Sequence, residues 1–329
     1  EPGVDRLARA ERVDGIVSPG ADWPVGIAAR VAGRMGLPHP IDAATAALAT
    51  TKSRQRERFA EAGVPQPRLL DEPAAPCVVK APDRQGQRGL TLVRTEAELP
   101  AAIEAAVAAS RNGSYIVEEY VDGPEVTVNA VSVDGAFHPL AVTDRLTADP
   151  PAFGVALAHV WPCVYQTQAA VDAARAAADA LGIRNGPTYT QVRLHPDGAR
   201  VVELAARLGG GHDAELVEAV TGVRLNDLAL DFALGVEPCV YQTQSLHGGG
   251  CVHFLVAPEG RLLAVEGREA AAAVEGVLDV RSYREPGHVF GPLRRGADRG
   301  GAVIAVGERR EQALERAGRA ADAIRFLVA

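Results

Sequence analysis

Residues 188–211 read TYTQVRLHPDGARVVELAARLGGG, and no other segment constrains the fold as tightly. Two strand-like runs flank Pro196-Asp197-Gly198, and Asp and Gly are residues that turns favour. The chain is therefore predicted to double back as an antiparallel hairpin. Pairing about that turn sets Gln191 and Glu203 roughly opposite each other. Side chains alternate along a strand, so Gln191 shares a face with Arg193, and Glu203 shares one with Ala205. Two oxygen donors facing each other across a hairpin can hold a hard cation such as Mg2+, which keeps several waters and recruits substrate phosphates. A solvent-facing polar pair is the plainer reading, and only the surroundings decide between them.

The hairpin runs straight into Arg207, then Gly209, Gly210, Gly211 and His212, and then a helix. Glycines ahead of a helix N-terminus present backbone N–H groups to an anion. Arg207 adds a delocalised charge suited to a phosphoryl group or a carboxylate. By itself the triplet would be an ordinary capped loop.

An earlier segment, APCVVKAPDRQGQRGLTLVRT, reads as strand, glycine loop, strand. It delivers Lys80 to the loop Asp83–Gly89, although this is not a G-x-x-x-x-G-K-[ST] phosphate loop. Lysine is scarce: among 34 Lys plus Arg, only Lys52 and Lys80 are lysine. Lysine is a compact point charge and arginine a broad planar fork, so a lysine retained among arginines suits a phosphate reached through a narrow gap. Lys52 opens a predicted helix in TTKSRQRERFAEAGVPQP, closed by Gly63 and stopped by Pro65 and Pro67. A further strand, Tyr115–Val121, runs out into a short linker. Glu118, Glu119, Tyr120 and Val121 could offer backbone groups to an adenine edge, and Glu125 a carboxylate to ribose hydroxyls. The alternative is a solvated acidic edge.

The rest of the chain alternates elements of both kinds. A strand is predicted at Gly15–Ser18 and a helix over about Pro24–Arg34, one βα unit of an open sheet that is expected to be incomplete here. Thr95 and Glu98 have capping-box spacing ahead of a helix to about Ser110. Turns fall at Asp122-Gly123 and Asp134-Gly135. Residues 147–168 carry no clear element, and an alanine-rich helix follows to Leu181. Helices ending near Gly222 and Gly235, a return to strands, and a last helix from about Arg310 complete the pattern. PCVYQTQ occurs twice, at Pro162–Gln168 and Pro238–Gln244, with unmatched flanks, and reads as a linker rather than a structural repeat.

A net charge of −8 argues against a general nucleic-acid binder. No apolar run reaches the roughly 18 residues of a membrane span. Cys77, Cys163, Cys239 and Cys251 form no C-x-x-C or zinc pattern. A cytoplasmic protein with reduced thiols is expected.

In this order, these segments resemble the ATP-grasp superfamily, and most closely its carboxylate–amine ligases, including L-amino acid ligases. EAGVPQP, VEEYVDGPE and VVELAARLGGGHDAELVEAVTGVRL carry the resemblance, with the C-terminal run from FLVAPEGRLL onward. It implies an α+β and α/β architecture, in which two α+β lobes enclose ATP behind a partial α/β N-terminal domain. The implied divisions are residues 1–48 for that domain and 49–70 for a linker helix. Residues 71–122 would be the small lobe, 123–245 the large lobe with the metal site, and 246–329 a C-terminal subdomain. The resemblance assigns Lys52 and Lys80 to ATP phosphates, Glu118–Val121 to the adenine hinge and Glu125 to ribose. It assigns Gln191 and Glu203 to Mg2+ (with Mn2+ as substitute), and Arg207, Gly209, Gly210 and Gly211 to the site facing γ-phosphate and acyl substrate, with Arg207 and Lys80 catalytic; His212 joins the substrate candidates because it follows the glycine loop. His138, Arg145 and His159 are further candidates. Two positions depart from the family pattern: Gln191 replaces a glutamate, and Ala205 stands where an asparagine is common, which puts a second metal in doubt.

The implied reaction joins a small carboxylate to an amine, amino acids being expected, through an acyl phosphate with release of ADP. A homodimer is an option common among such enzymes. A bicarbonate-using or carbamoyl-type enzyme, a peptide-modifying ligase and a non-catalytic ATP-binding regulator are the competing readings.

Overall fold

The computed structural model describes residues 1–238 and 244–329. Most of the second PCVYQTQ copy, with Cys239, lies outside the described residues. The chain opens with α1 (Pro2–Glu11), α2 (Asp22–Met35) and α3 (Ala43–Ala49), followed by α4 (Lys52–Glu61). Gly15–Ser18 is not a strand, contrary to expectation. A strand needs a neighbour to bond to, and among the described residues none lies alongside. Instead the segment packs on the end of a later helix, where a Cβ on Gly15 would meet the Ala233 carbonyl oxygen at 2.2 Å.

The first hairpin forms as predicted. β1 (Cys77–Lys80) pairs antiparallel with β2 (Leu90–Val93), Lys80 opposite Leu90. α5 (Leu99–Ala109) follows a 3-10 turn, and β3 (Ile116–Glu119) adds to the other side of β1. The capping box does not close: the Glu98 carboxylate accepts from the Arg94 N–H at 2.7 Å instead. α5 packs on this small sheet through Ala102 and Ala106 against Cys77, Val79, Val93 and Val117.

The large sheet is built from β4 (Glu125–Val133), β5 (Ala136–Thr147), β6 (Ala156–Trp161), β7 (Gly186–His195) and β8 (Gly198–Ala205). Between these fall α6 (Gln168–Ala180), then after β8 come α7 (Asp213–Thr221) and α8 (Leu225–Leu234). The last third supplies β9 (Gly249–Leu255), β10 (Gly260–Glu266), α9 (Arg268–Ala272), β11 (Val277–Ser282), β12 (Val289–Phe290), β13 (Gly301–Gly307), α10 (Arg310–Ala323) and β14 (Arg325–Val328). The spatial order is β11-β13-β9-β6-β5-β4-β7-β8, every neighbouring pair antiparallel. β6 corrects the expectation of a featureless stretch over residues 147–168. Alternation along β4 divides the two faces. Val126 and Val128 join the core beneath α6, while Thr127 and Asn129 bond to Asp213 at the start of α7. β10, β12 and β14 make a separate three-stranded sheet.

Candidate active site

Gln191 and Glu203 are register partners across β7 and β8, as the Pro-Asp-Gly turn predicts. Opposite them stands α4, whose first turn carries Lys52. Its ammonium is 2.7 Å from Glu203 Oε1 and also donates to the Arg84 carbonyl at 2.6 Å. Four residues on, on the same face of α4, Arg56 is buried. Its Nε is 2.7 Å from Glu118 Oε1, and it donates to the carbonyls of Val201 and Val202 on β8. Lys80, at the end of β1, is 2.6 Å from the other Glu118 oxygen. One buried carboxylate thus joins two cations from two different elements. Burial pushes the Lys80 ammonium down to about 8 even beside Glu118. Burial alone would raise the Glu118 carboxyl, but Arg56 and Lys80 hold it below the usual carboxylate range.

The linker after β3 leads along a cavity of about 60 Å3, walled by Lys80, Glu118, Tyr120, Val121, Glu125 and Gln191 among others. Glu119 also lines this cavity, with its carboxylate 2.6 Å from Arg68. Tyr120 lies edge-on to Phe153. The Glu125 carboxylate is bound to Arg145 at 2.7 Å and Arg193 at 3.4 Å.

Gln191, Gln87 and Arg145 also line a second cavity of about 480 Å3, so the two spaces meet at Gln191. Arg207, Gly210 and Gly211 face this larger space, with Gly86 of the first glycine loop across from them. The triplet divides its labour. A Cβ on Gly209 would meet the Tyr189 ring at 2.7 Å, and one on Gly211 the Phe254 ring at 2.9 Å, with φ at +70° besides. A Cβ on Gly210 would meet nothing within 4 Å. Gly209 and Gly211 let the loop lie flat on the sheet, while Gly210 faces open space. Arg207 is held by Asp22 of α2 at 2.7 Å. Gln85, in the first glycine loop, accepts from the Asp22 N–H at 2.6 Å. The N-terminal segment therefore braces both loops.

His212 does not line this cavity. Its Nε2 is 2.5 Å from the Tyr283 hydroxyl, and its Nδ1 lies 3.1 Å from Glu215. His159 does line it; burial first, then nearby arginines, holds its pKa well below the usual value, so its imidazole is neutral. Beneath the glycine loop, burial raises the Asp213 carboxyl to about 6, against hydrogen bonds from Asn129 and Thr127 that pull it down. His138 lies on β5 outside both cavity walls.

The donor set bears directly on a metal. Among the described residues no three His, Cys, Asp or Glu side chains cluster as metal ligands. Glu203 is the carboxylate at the Gln191 pair, and Ala205, opposite Tyr189, has no ligating atom. One carboxylate plus one amide oxygen suits a single Mg2+ whose other ligands are phosphate oxygens and water. It does not suit two protein-held ions.

Sequence reasoning missed Arg56, Tyr189 and Arg299. Arg56 had a signal, its i,i+4 spacing from Lys52. Arg299 reaches the cavity from a C-terminal loop and has no local mark among so many arginines.

Residues 73–215 match the family described as ATP-grasp domain, and residues 253–329 that described as L-amino acid ligase C-terminal domain 2. An uncharacterized protein of Sinorhizobium fredii is 27% identical, over 94% of this chain and 67% of its own length. Dapdiamide A synthase of Enterobacter agglomerans is 24% identical, over 65% of this chain and 53% of its own length. The chain thus spans about half the length of that synthase. Among solved structures, L-amino acid ligase from Bacillus licheniformis superposes with a TM-score of 0.86 at 21% identity, covering 99% of this chain and 84% of that one. That likeness establishes the shared fold.

Proposed function

The chain belongs to the ATP-grasp superfamily, in its carboxylate–amine ligase group, and we propose that it joins a small carboxylic acid to an amine at the expense of ATP. The fold implies ATP binding. The observation that carries the reading is the meeting of two cavities at Gln191: one walled by the hinge and Lys80, the other by Arg207 and the glycine loop. The nucleotide would lie in the first, and the acid would approach from the second.

In this reading a carboxylate oxygen of the acid attacks the γ-phosphorus, the bond to the β-phosphate oxygen breaks, and ADP leaves. The amine then attacks the acyl carbon of the acyl phosphate and inorganic phosphate departs, leaving the amide. The protein's part is positioning and charge neutralisation. Lys52 and Lys80 contact phosphate oxygens, and Glu118–Val121 present the hinge to adenine. Glu125 serves ribose only while shared with Arg145 and Arg193. Gln191 and Glu203 would hold Mg2+, which would supply charge neutralisation to phosphate oxygens. Arg207, together with the Gly210 and Gly211 backbone, faces the equatorial phosphoryl oxygens. The loop Asp83–Gly89 excludes water that would hydrolyse the acyl phosphate.

A hinge cavity of 60 Å3 is far below the roughly 300–1,000 Å3 of ligand sites. Seating adenine and ribose there would widen the space between the β1-β2-β3 sheet and β7. The division of the chain at 48, 70, 122 and 245 belongs to the same proposal, as does a cytoplasmic setting. Among the described residues Cys77, Cys163 and Cys251 are free, and no helix is long and apolar enough to cross a membrane.

The test is ADP release from ATP and Mg2+ over a matrix of acids and amines, with bicarbonate varied separately. ADP formation that requires both an acid and an amine supports the ligase. Nucleotide binding without turnover across the matrix contradicts it and favours a regulator, the reading that Gln191 and Ala205 would suit.

A further inference from the structure

The larger cavity has an unusual charge balance. Arg88, Arg145, Arg207, Arg295 and Arg299 line it, and among the described residues no aspartate or glutamate does. Three of these arginines are matched from behind: Arg145 by Glu125, Arg207 by Asp22 and Arg295 by Asp298. Arg299 is not. Its Nε donates to the Gly296 carbonyl at 2.7 Å and its Nη1 to Ala156 at 3.3 Å. Its guanidinium lies 3.6 Å from the centre of the Phe254 ring. Burial is the largest influence on it and pushes its pKa down to about 10. A largely desolvated cation with no opposing carboxylate is costly unless an anion arrives. The Phe254 face fixes the plane of the fork, and such a fork matches a carboxylate in two-point fashion.

The other titratable groups facing this space add no negative charge. His159 is neutral, and burial raises the Tyr189 phenol well above its usual range, so it stays protonated. In the ligase reading the transferring phosphoryl group enters at Arg207 and the glycine loop, with Lys80 on the hinge side of Gln191, and Arg299 is left without an anion. An acid with a free ammonium group would place that charge among the arginines with no carboxylate to receive it. Of the amides lining the space, Gln85 already accepts from Asp22, and Gln87 and Gln191 carry no negative charge to offset an ammonium.

Resting on the ligase reading above, we propose that the acyl donor is a dicarboxylic acid without a free ammonium group. One carboxylate is phosphorylated beside Arg207, and the other is held by Arg299. This narrows the acid and leaves the amine open.

Hydroxylamine, which captures an acyl phosphate as a hydroxamate, removes the need to know the amine. With ATP and Mg2+, succinate or glutarate should yield ADP and hydroxamate in equal amounts. Butyrate, alanine and leucine should be at least tenfold poorer in kcat/KM. Arg299→Gln should raise KM for the dicarboxylate tenfold or more with a smaller change in kcat, and should bring succinate and butyrate closer together. Arg299→Lys should recover part of the loss. ATP affinity, measured by calorimetry on each variant, should stay unchanged and so confirm the fold. Hydroxamate from alanine or leucine at rates matching the dicarboxylates overturns this inference and leaves the ligase intact. An Arg299→Gln variant that keeps its KM overturns it too. Nucleotide binding with no hydroxamate from any acid removes the ligase reading, and this inference with it.

Discussion

Two groups of buried cations lie on either side of Gln191, and they are built on opposite principles. Around Glu118, the charges are closed: Lys80 and Arg56 share one carboxylate, all three side chains no more than 3% exposed. Around Arg299, the charge is open: a mostly buried guanidinium meets carbonyls and a ring but, among the described residues, no acid. The closed cluster ties α4, β1 and β3 together, and its one carboxylate offsets one of the two positive charges. The open one leaves a positive potential that an incoming anion must complete.

Glu203 stands between the two groups, and its removal should have the largest effect. It is the carboxylate at the metal pair and the partner of Lys52. Glu203→Ala is expected to lower ADP formation by about a thousandfold or more, beyond the 10²–10³ that one stabilising group supplies elsewhere. Near-normal ADP release from a Glu203→Ala protein would remove the metal assignment.

The contrast itself is tested by removing one cation from each side. Arg56→Ala leaves a buried carboxylate short of a partner and should cost about 3–5 kcal/mol in denaturant unfolding. Arg299→Gln removes a charge with no acid to strand and should cost about 1 kcal/mol or less. Equal losses would erase the distinction.

A smaller effect separates neighbouring glycines. Gly211→Ala forces a Cβ against Phe254 from a left-handed backbone and should destabilise by about 1–3 kcal/mol. Gly210→Ala, with open space before it, should leave the melting temperature within a degree or two while altering substrate KM.

The smallest signal is a fraction of a proton. Lys80 titrates near 8 in the folded chain, against about 10.4 when unfolded. Between these values the unfolded chain holds a proton that the folded chain lacks. This group's contribution to stability therefore rises with pH through the window and is lost as pH falls through about 8. Phosphate binding runs the other way, since only the ammonium attracts it. ATP binding at pH 8.5 should take up part of a proton, read by calorimetry in two buffers of different ionisation enthalpy. Lys80→Arg, too broad for a site with this little space, should cut turnover more than tenfold.

The closed half of the site was largely legible in the sequence. The Pro196-Asp197-Gly198 turn and strand alternation set Gln191 against Glu203. The scarcity of lysine marked Lys52 and Lys80, and helical spacing would have found Arg56. The open half was not. Arg299 comes from a loop ahead of β13 whose place depends on β9 bonding to β6, a pairing between strands some ninety residues apart. β6 itself escaped notice because ALAHVW, covered by neighbours on both sides, has neither alternation nor a helical stripe. The Gly15–Ser18 segment failed in the opposite sense: its residues suit a strand, but among the described residues it has no partner.

The central claim is that a carboxylate is activated as an acyl phosphate, and isotope transfer addresses it most directly. An acid labelled with 18O in its reacting carboxylate should pass one labelled oxygen to inorganic phosphate for each amide formed, read by mass spectrometry alongside stoichiometric ADP. Unlabelled phosphate, or AMP in place of ADP, would contradict the account.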